Sequence, residues 1–339
     1  MNKAGSTTLQ SAYRDFDDGR TAMVRLGPPN HSGAMVNLFS KRKWNYHLNR
    51  FAQRTPEDIA ANEKELRDKL VAQFQKDPQK NFMISGEDMS NVFDAEDAQA
   101  MVGFLKEHFD EVRGLGYIRD LESYLPSEYS ERLKIVFEHP AILQLYPWYR
   151  RRFESWETAL GRENLTYRLF TPKHFVNEDL IDDFAQWAGI SPASPKNRRA
   201  SNSKMSAEAV AIYFVYRKAR GPLAQNPWQV PKHGHVLGKM AEFGNTRFVL
   251  DFGGTWRALA KFADDIDWIE GRLGCPVTTE PGLDGTAVRF ASGHEIEVCA
   301  PPLVEELCRF LGVAPDLTLD WHGNLLAAMD QAYGRETLP

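Results

Sequence analysis

The stretch that most constrains this chain is its first ten residues, Met1 to Gln10, reading MNKAGSTTLQ. One lysine, one glycine and three consecutive hydroxyl residues precede Leu9 and Gln10. Glycine lets the backbone turn sharply and bring several N–H groups to bear on one anion. Ser6, Thr7 and Thr8 then begin a helix whose positive end adds to that field, and Lys3 contributes a full charge beside it. By composition this is a phosphate loop. It differs from the common nucleotide loop, G-x-x-x-x-G-K-[ST], in which the lysine follows the second glycine. Here Lys3 comes two residues before Gly5. The simpler alternative is a capped helix start.

Downstream, short apolar runs alternate with helical periodicity. A first helix is expected over 6–17, followed by a loop-like stretch over 21–36 that contains Gly27, Pro28, Pro29 and Gly33. His31 within it is read as an ordinary loop histidine, with substrate contact the alternative. The KRKW cluster at 41–44 reads as a solvated face. Thr55, Pro56, Glu57 and Asp58 open a helix over 55–76, with Ile59, Leu66, Leu70 and Phe74 on one face. Strands are expected at 81–85, 112–118 and 164–170, and helices from Asp94, from Asn177 to Gly189 and from Ser206 through Arg217. Strands alternating with helices imply a parallel sheet that presents ligands at the strands' C-terminal ends. Residues 221–252 read as an irregular excursion, 255–273 as helical, and 275–299 as including a hairpin around Asp284-Gly285.

Composition bounds the function classes. The 339 residues, 42% hydrophobic and 12% aromatic, suffice for a sizeable core. Forty-one basic against 46 acidic residues give a net charge of −5, which argues against nucleic-acid binding driven by overall charge. Cys275, Cys299 and Cys308 are odd in number and lack zinc-type spacing, as expected of reduced thiols in a cytoplasm. No run of 18 apolar residues and no secretory signal are visible, so a cytoplasmic protein without an integral membrane segment is expected. Asp251-Phe252-Gly253 lacks the companion motifs of a kinase, and His233 and His235 lack a third ligand for a metal.

The Lys3-to-Leu9 order resembles the first loop of the sulfotransferase family, Pro-Lys-x-Gly-Thr-Thr-x-Leu. Asn2 replaces the proline, Ala4 fills the free position, and Ser6 and Thr7 stand for the threonine pair. The resemblance implies that Lys3, Ala4, Gly5, Ser6, Thr7 and Thr8 hold the 5′-phosphosulfate of 3′-phosphoadenosine-5′-phosphosulfate (PAPS). A second block, YIRDLESYLPSEY, is similar to the family's 3′-phosphate site in bacterial members. There an arginine ends a strand and a serine eight residues later lies on the next helix, the roles implied here for Arg119 and Ser127. Arginine suits phosphate because its planar fork binds two oxygens at once. A strand-end ion pair with Asp120 or Glu122 is the alternative. A third block, NRRASNSKMS over 197–206, resembles the late loop that closes over the same phosphate and implies Arg199, Asn202 and Ser203. It lacks the usual Arg-Lys-Gly form. The resemblance covers residues 1 to about 220 with motifs; FADDIDWIEGRLG, 262–274, matches only in texture the tail of many bacterial relatives.

The expected fold is therefore α/β and P-loop-like: three layers, with a central parallel sheet flanked by helices. Residues 1–220 form the sulfotransferase-like domain, and 221–339 a mixed or helical extension packed on it. In the family an apolar strand precedes the first loop. Only Met1 and Asn2 precede Lys3, so the expectation is that Met1 is an internal methionine and the first strand is missing from the sequence. The implied activity transfers a sulfuryl group from PAPS to a hydroxyl or amine of a small-molecule or glycan acceptor, without a metal. Lys3 would act at the leaving phosphate. The base is expected after the strand at 81–85, with Glu87 first and Asp88 second. Trp148, Tyr149 and Trp156 offer faces for a sugar or an apolar substrate, core packing being the simpler reading. The alternatives are a nucleotide-binding scaffold without turnover and a small-molecule kinase.

Overall fold

The computed structural model describes residues 1–134, 142–192, 205–221, 230, 232–251, 259–278 and 287–334. The chain is α/β, rich in helix, with six short strands among the described residues. These strands form three parallel pairs. β1 (Thr21–Met23) pairs with β2 (Asn81–Met83), β3 (Gly114–Ile118) with β4 (Leu165–Leu169), and β5 (Phe248–Leu250) with β6 (Val288–Phe290). Among the described residues no ladder of hydrogen bonds joins the pairs into one sheet. Each pair is closed by a crossover containing helix, as parallel neighbours require.

By its contacts the chain divides into two compact units that interleave along the sequence. The first comprises Met1–Asp120, Pro147–Ser201 and Asp264–Val277; the second comprises Leu121–Tyr146, Asn202–Ala263 and Thr278–Pro339.

The first unit holds β1 to β4. Helix Pro56–Lys76 forms where expected, and the reason is local. Thr55 Oγ1 accepts from Asp58 N–H at 3.2 Å while the Asp58 carboxylate accepts from Thr55 N–H at 3.0 Å. Ile59, Leu66, Leu70 and Phe74 are its buried residues. The helix packs on helix Ser32–Phe39, and Leu66, Leu70 and Phe74 share a core cluster with Met35, Val36 and Phe39. Helix Ala95–Lys106 carries the same reciprocal cap between Asp94 and Asp97. Strand β3 tolerates its two glycines because they admit neighbours: a Cβ on Gly114 would lie 2.7 Å from Leu165 Cδ1 and 2.9 Å from Leu160 Cδ1.

Several expectations are corrected. The stretch 21–36 contains β1 and the start of helix Ser32–Phe39; the Gly-Pro cluster between them hid both. The first helix ends at Ala12. Asn177 does not cap its helix. It sits at φ 53, and Asp179 caps Leu180–Ala188 by accepting from Ile181 and Asp182 N–H.

The second unit is built on helix Ala207–Arg220, capped by Ser206 and apolar on nearly all sides, with every residue from Ala209 to Tyr216 buried. It packs on helices Leu121–Leu133, Gly293–Val298 and Trp321–Tyr333. Tyr213 and Tyr333 share a hydroxyl hydrogen bond of 2.7 Å, and Tyr216 donates to Asp330 at 2.9 Å. The stretch 221–252 is not wholly irregular, since helix His233–Met240 and β5 lie in it. Of the helix expected over 255–273, residues 255–258 lie outside the described residues, Ala260–Phe262 is a 3-10 turn, and the α-helix is Ala263–Leu273, which from Asp264 onward belongs to the first unit. Asp284 and Gly285 also lie outside the described residues. No described helix is long and apolar enough to cross a membrane.

Candidate active site

The first loop adopts the conformation its composition allows. Lys3 has φ 60 and Gly5 has φ 77, both left-handed, and the helix Ser6–Ala12 begins directly after Gly5 with no side chain capping it. Such a helix start keeps its first N–H groups available to an external acceptor. Gly5 is required on two grounds. Its φ disfavours any L side chain, and a Cβ would lie 2.3 Å from Leu180 Cδ2 and 2.6 Å from Phe170 Cε2. Ala4 is buried, Ser6 and Thr8 are half-buried, and Thr7 is exposed.

Arg119 follows β3 and is only 6% exposed. Its Nη1 donates to the Lys3 carbonyl at 2.8 Å, and its guanidinium lies 5.8 Å from the Phe170 ring centroid. The Arg119 carbonyl accepts from Tyr149 OH at 3.0 Å. The arginine thus braces the first loop from behind. Nearby, the Met1 amine donates to the Tyr117 carbonyl at 3.0 Å. Burial, reinforced by the Arg152 charge and opposed by Glu87, pushes that amine down to about 5.

The loop after β2 delivers the carboxylates. Ser6 Oγ donates to Glu87 Oε2, and Gln10 Nε2 donates to Ser85 Oγ at 3.3 Å. Gly86 makes the approach possible, since a Cβ there would lie 2.8 Å from the Ser32 backbone nitrogen. His31 locks the same loop: its N–H donates to the Ser85 carbonyl at 2.7 Å, and its Nδ1 accepts from Ser85 N–H at 3.1 Å. Burial lowers the His31 pKa to about 4, against a backbone hydrogen bond with Val24 that pulls upward. The imidazole is therefore neutral with its lone pair occupied, which suits a structural pin and not a base. Asp88 accepts from Tyr46 OH at 2.6 Å, and its own N–H donates to Ser32 Oγ at 3.1 Å. Burial, and then the Asp88 charge, raises the Tyr46 pKa. Of the two acids, Glu87 is the one joined to the first loop.

Ser127 is half-buried on helix Leu121–Leu133 of the second unit. Arg199, Asn202 and Ser203 lie outside the described residues, as do Phe252 and Gly253. His233 is buried with Nδ1 3.1 Å from Tyr333 OH. No cluster of three or more potential metal ligands occurs among the described residues. Trp156 stacks on Phe93 at 5.6 Å and Tyr149 is fully buried, so both are core; Trp148 stays 42% exposed. Sequence reasoning missed Gln10, Ser85 and Tyr46 around the acids. The one available signal was Gly86 between a strand end and two consecutive carboxylates.

Comparison with family models, with curated proteins and with solved structures finds no match.

Proposed function

We propose that this chain is a sulfotransferase, with PAPS as donor and the hydroxyl or amine of a small-molecule or glycan as acceptor. The observation that carries the reading is the convergence of Ser6 on Glu87, within a loop braced by Arg119 through the Lys3 carbonyl. That joins a cationic loop with left-handed turns to a carboxylate at a strand end. The left-handed Gly5 turn sits directly before the loop helix, the arrangement by which successive backbone N–H groups are brought to bear on one anion.

Sulfuryl transfer needs an acceptor oxygen in line with sulfur, a base for its proton, and neutralised charge on the departing phosphate. Glu87 takes the acceptor proton, with Ser6 holding its carboxylate in place. Lys3 and the N–H groups that follow Gly5 receive the charge left on the phosphate of 3′,5′-ADP. Arg119 orders Lys3 and, by the resemblance, faces the 3′-phosphate; the roles of Ser127, Arg199, Asn202 and Ser203 rest on the resemblance alone. A single P-loop-like three-layer sheet is part of the proposal. Its support is that β1–β2 and β3–β4 are both parallel and lie in one unit, with Met1 hydrogen-bonded to β3 at 3.0 Å.

One observation favours a second reading. A hydroxyl at the start of the loop helix, bonded to a strand-end carboxylate, is the pair with which phosphoryl-transfer enzymes hold magnesium. One assay separates the two. Labelled PAPS is offered with a panel of hydroxyl acceptors, alongside labelled ATP with magnesium. Label on an acceptor with release of 3′,5′-ADP supports the proposal; label from ATP alone supports the kinase. Binding of PAPS with no transfer to any acceptor would mark a scaffold.

A further inference from the structure

Phe170 is the first residue beyond β4. Its place follows from the strand register. β3 and β4 are parallel with Ile118 opposite Leu169, so the chain leaves both strands at the same level, into Arg119 and Phe170. Phe170 N–H donates to the Ile118 carbonyl at 2.6 Å, which carries the ladder one bond past the strand end. Thr171 N–H then donates to the Leu169 carbonyl at 3.0 Å, closing a three-residue turn centred on Phe170. The backbone of Phe170 is thereby fixed beside that of Arg119.

The ring touches both parts of the candidate site. Its Cε2 and Cζ would lie 2.6 and 3.3 Å from a Cβ on Gly5, so the ring sits against the left-handed turn of the first loop. The Arg119 guanidinium lies 5.8 Å from the ring centroid, within reach of cation–π attraction. Phe175 braces the ring in a T-shaped contact at 5.5 Å, and is itself buried against Tyr117 of β3.

These contacts divide the holding of the loop between two side chains. Arg119 Nη1 holds the shoulder at Lys3, through the Lys3 carbonyl at 2.8 Å. Phe170, with Leu180, holds the shoulder at Gly5. Lys3 at φ 60 is left-handed without glycine's freedom, a conformation that persists only where neighbours enforce it. The guanidinium that enforces it ends a long, rotamer-rich side chain, and the half-buried aromatic face restricts where it can sit. A leucine at 170 would offer no such face to the cation.

We infer that Phe170 is a positioning residue: it couples the Gly5 turn to Arg119, so that the loop and the arginine stand at a fixed spacing before a ligand arrives. A nucleotide with phosphates on both the 3′ and the 5′ oxygens registers that spacing; one with a 5′-phosphate alone does not. The effect on ligand choice rests on the nucleotide reading proposed above. The coupling of ring to loop does not.

Two measurements on the whole chain test it, and the first needs no ligand. In urea unfolding, Gly5→Ala should lower the midpoint less in a Phe170→Leu background than in the unmutated protein, because the shorter side chain no longer meets the added Cβ. Additive shifts overturn the inference. The second is calorimetry with 3′,5′-ADP and 5′-AMP. Phe170→Leu should shrink the preference for 3′,5′-ADP about fivefold, the scale of one partly desolvated cation–π contact, with 5′-AMP affinity falling less. Phe74→Leu, which removes a buried ring from the core cluster of Leu66 and Leu70, should leave that preference unchanged and so separates positioning from general loss of stability. Should Phe170→Leu not fold, Phe170→Met keeps apolar bulk, lacks the aromatic face and gives the same readout. An unaltered preference in the folded Phe170 variant, or an equal fall in Phe74→Leu, overturns the inference and spares the functional reading. An unmutated protein with no preference for 3′,5′-ADP overturns the functional reading, and the urea comparison then decides the coupling by itself.

Discussion

Replacing Gly5 by alanine tests whether the first loop is held in its left-handed turn by packing as well as by backbone preference. Two costs are separable. An L side chain at φ 77 costs about 1–2 kcal/mol. The added Cβ also lies 2.3 Å from Leu180 Cδ2 and 2.6 Å from Phe170 Cε2, closer than any real contact. Both atoms end side chains that can shift, so the overpacking cost falls in the usual range of about 1–3 kcal/mol. The sum is about 2–5 kcal/mol. Gly19 supplies the control, with φ 87 and nothing within 4 Å of a Cβ. Gly19→Ala should therefore show the backbone cost alone, about 1–2 kcal/mol. Urea unfolding of the three proteins, followed by tryptophan fluorescence, measures the difference. If Gly5→Ala is no less stable than Gly19→Ala, the packing of this loop against Phe170 and Leu180 is not as described.

Three further outcomes are expected. Leu70, fully buried between helix Pro56–Lys76 and its neighbours, should lose about 2–5 kcal/mol on replacement by alanine, seen as a lower urea midpoint. His31 has its folded pKa depressed from 6.5 to about 4, so the unfolded chain binds the proton more readily. Its contribution is complete above pH 6.5 and is lost as pH falls towards 4, a total of roughly 3 kcal/mol; His31→Asn, which can still accept from Ser85 N–H, should flatten that part of the stability profile relative to the unmutated protein. Glu87→Gln keeps shape and removes basicity, so turnover should fall by roughly 10²–10⁴ with 3′,5′-ADP affinity little changed, and an unimpaired variant would clear Glu87 of the base role.

What could be read from the sequence was what local chemistry decides. Helix Pro56–Lys76 announced itself because the Thr55–Asp58 cap and the Ile59–Phe74 face are neighbours in sequence. β3 and β4 stood out as runs of five residues, whereas β1 did not. The Gly27-Pro28-Pro29 run just beyond it made the whole stretch read as loop, and the partner that makes Thr21–Met23 a strand, Asn81–Met83, lies far along the chain. Asn177 and Asp179 are both able to cap a helix, and only the folded backbone selects Asp179. The candidate site divides the same way. Gly5 and Glu87 were legible from residue type and position. The need for Gly86 was not, because it arises from Ser32 on another segment. Arg119 was expected to face a phosphate, and its grip on the Lys3 carbonyl depends on a tertiary contact that no spacing encodes.

The central claim is that this loop and Arg119 serve a nucleotide distinguished by its 3′-phosphate. Calorimetry with 3′,5′-ADP, 5′-AMP, and ADP with magnesium tests it most directly. The account predicts that 3′,5′-ADP binds at least about tenfold tighter than 5′-AMP, the extra affinity coming from charge-assisted bonds to the second phosphate. In Arg119→Ala most of that advantage should disappear. Equal affinity for 3′,5′-ADP and 5′-AMP, or a preference for ADP with magnesium, would contradict it.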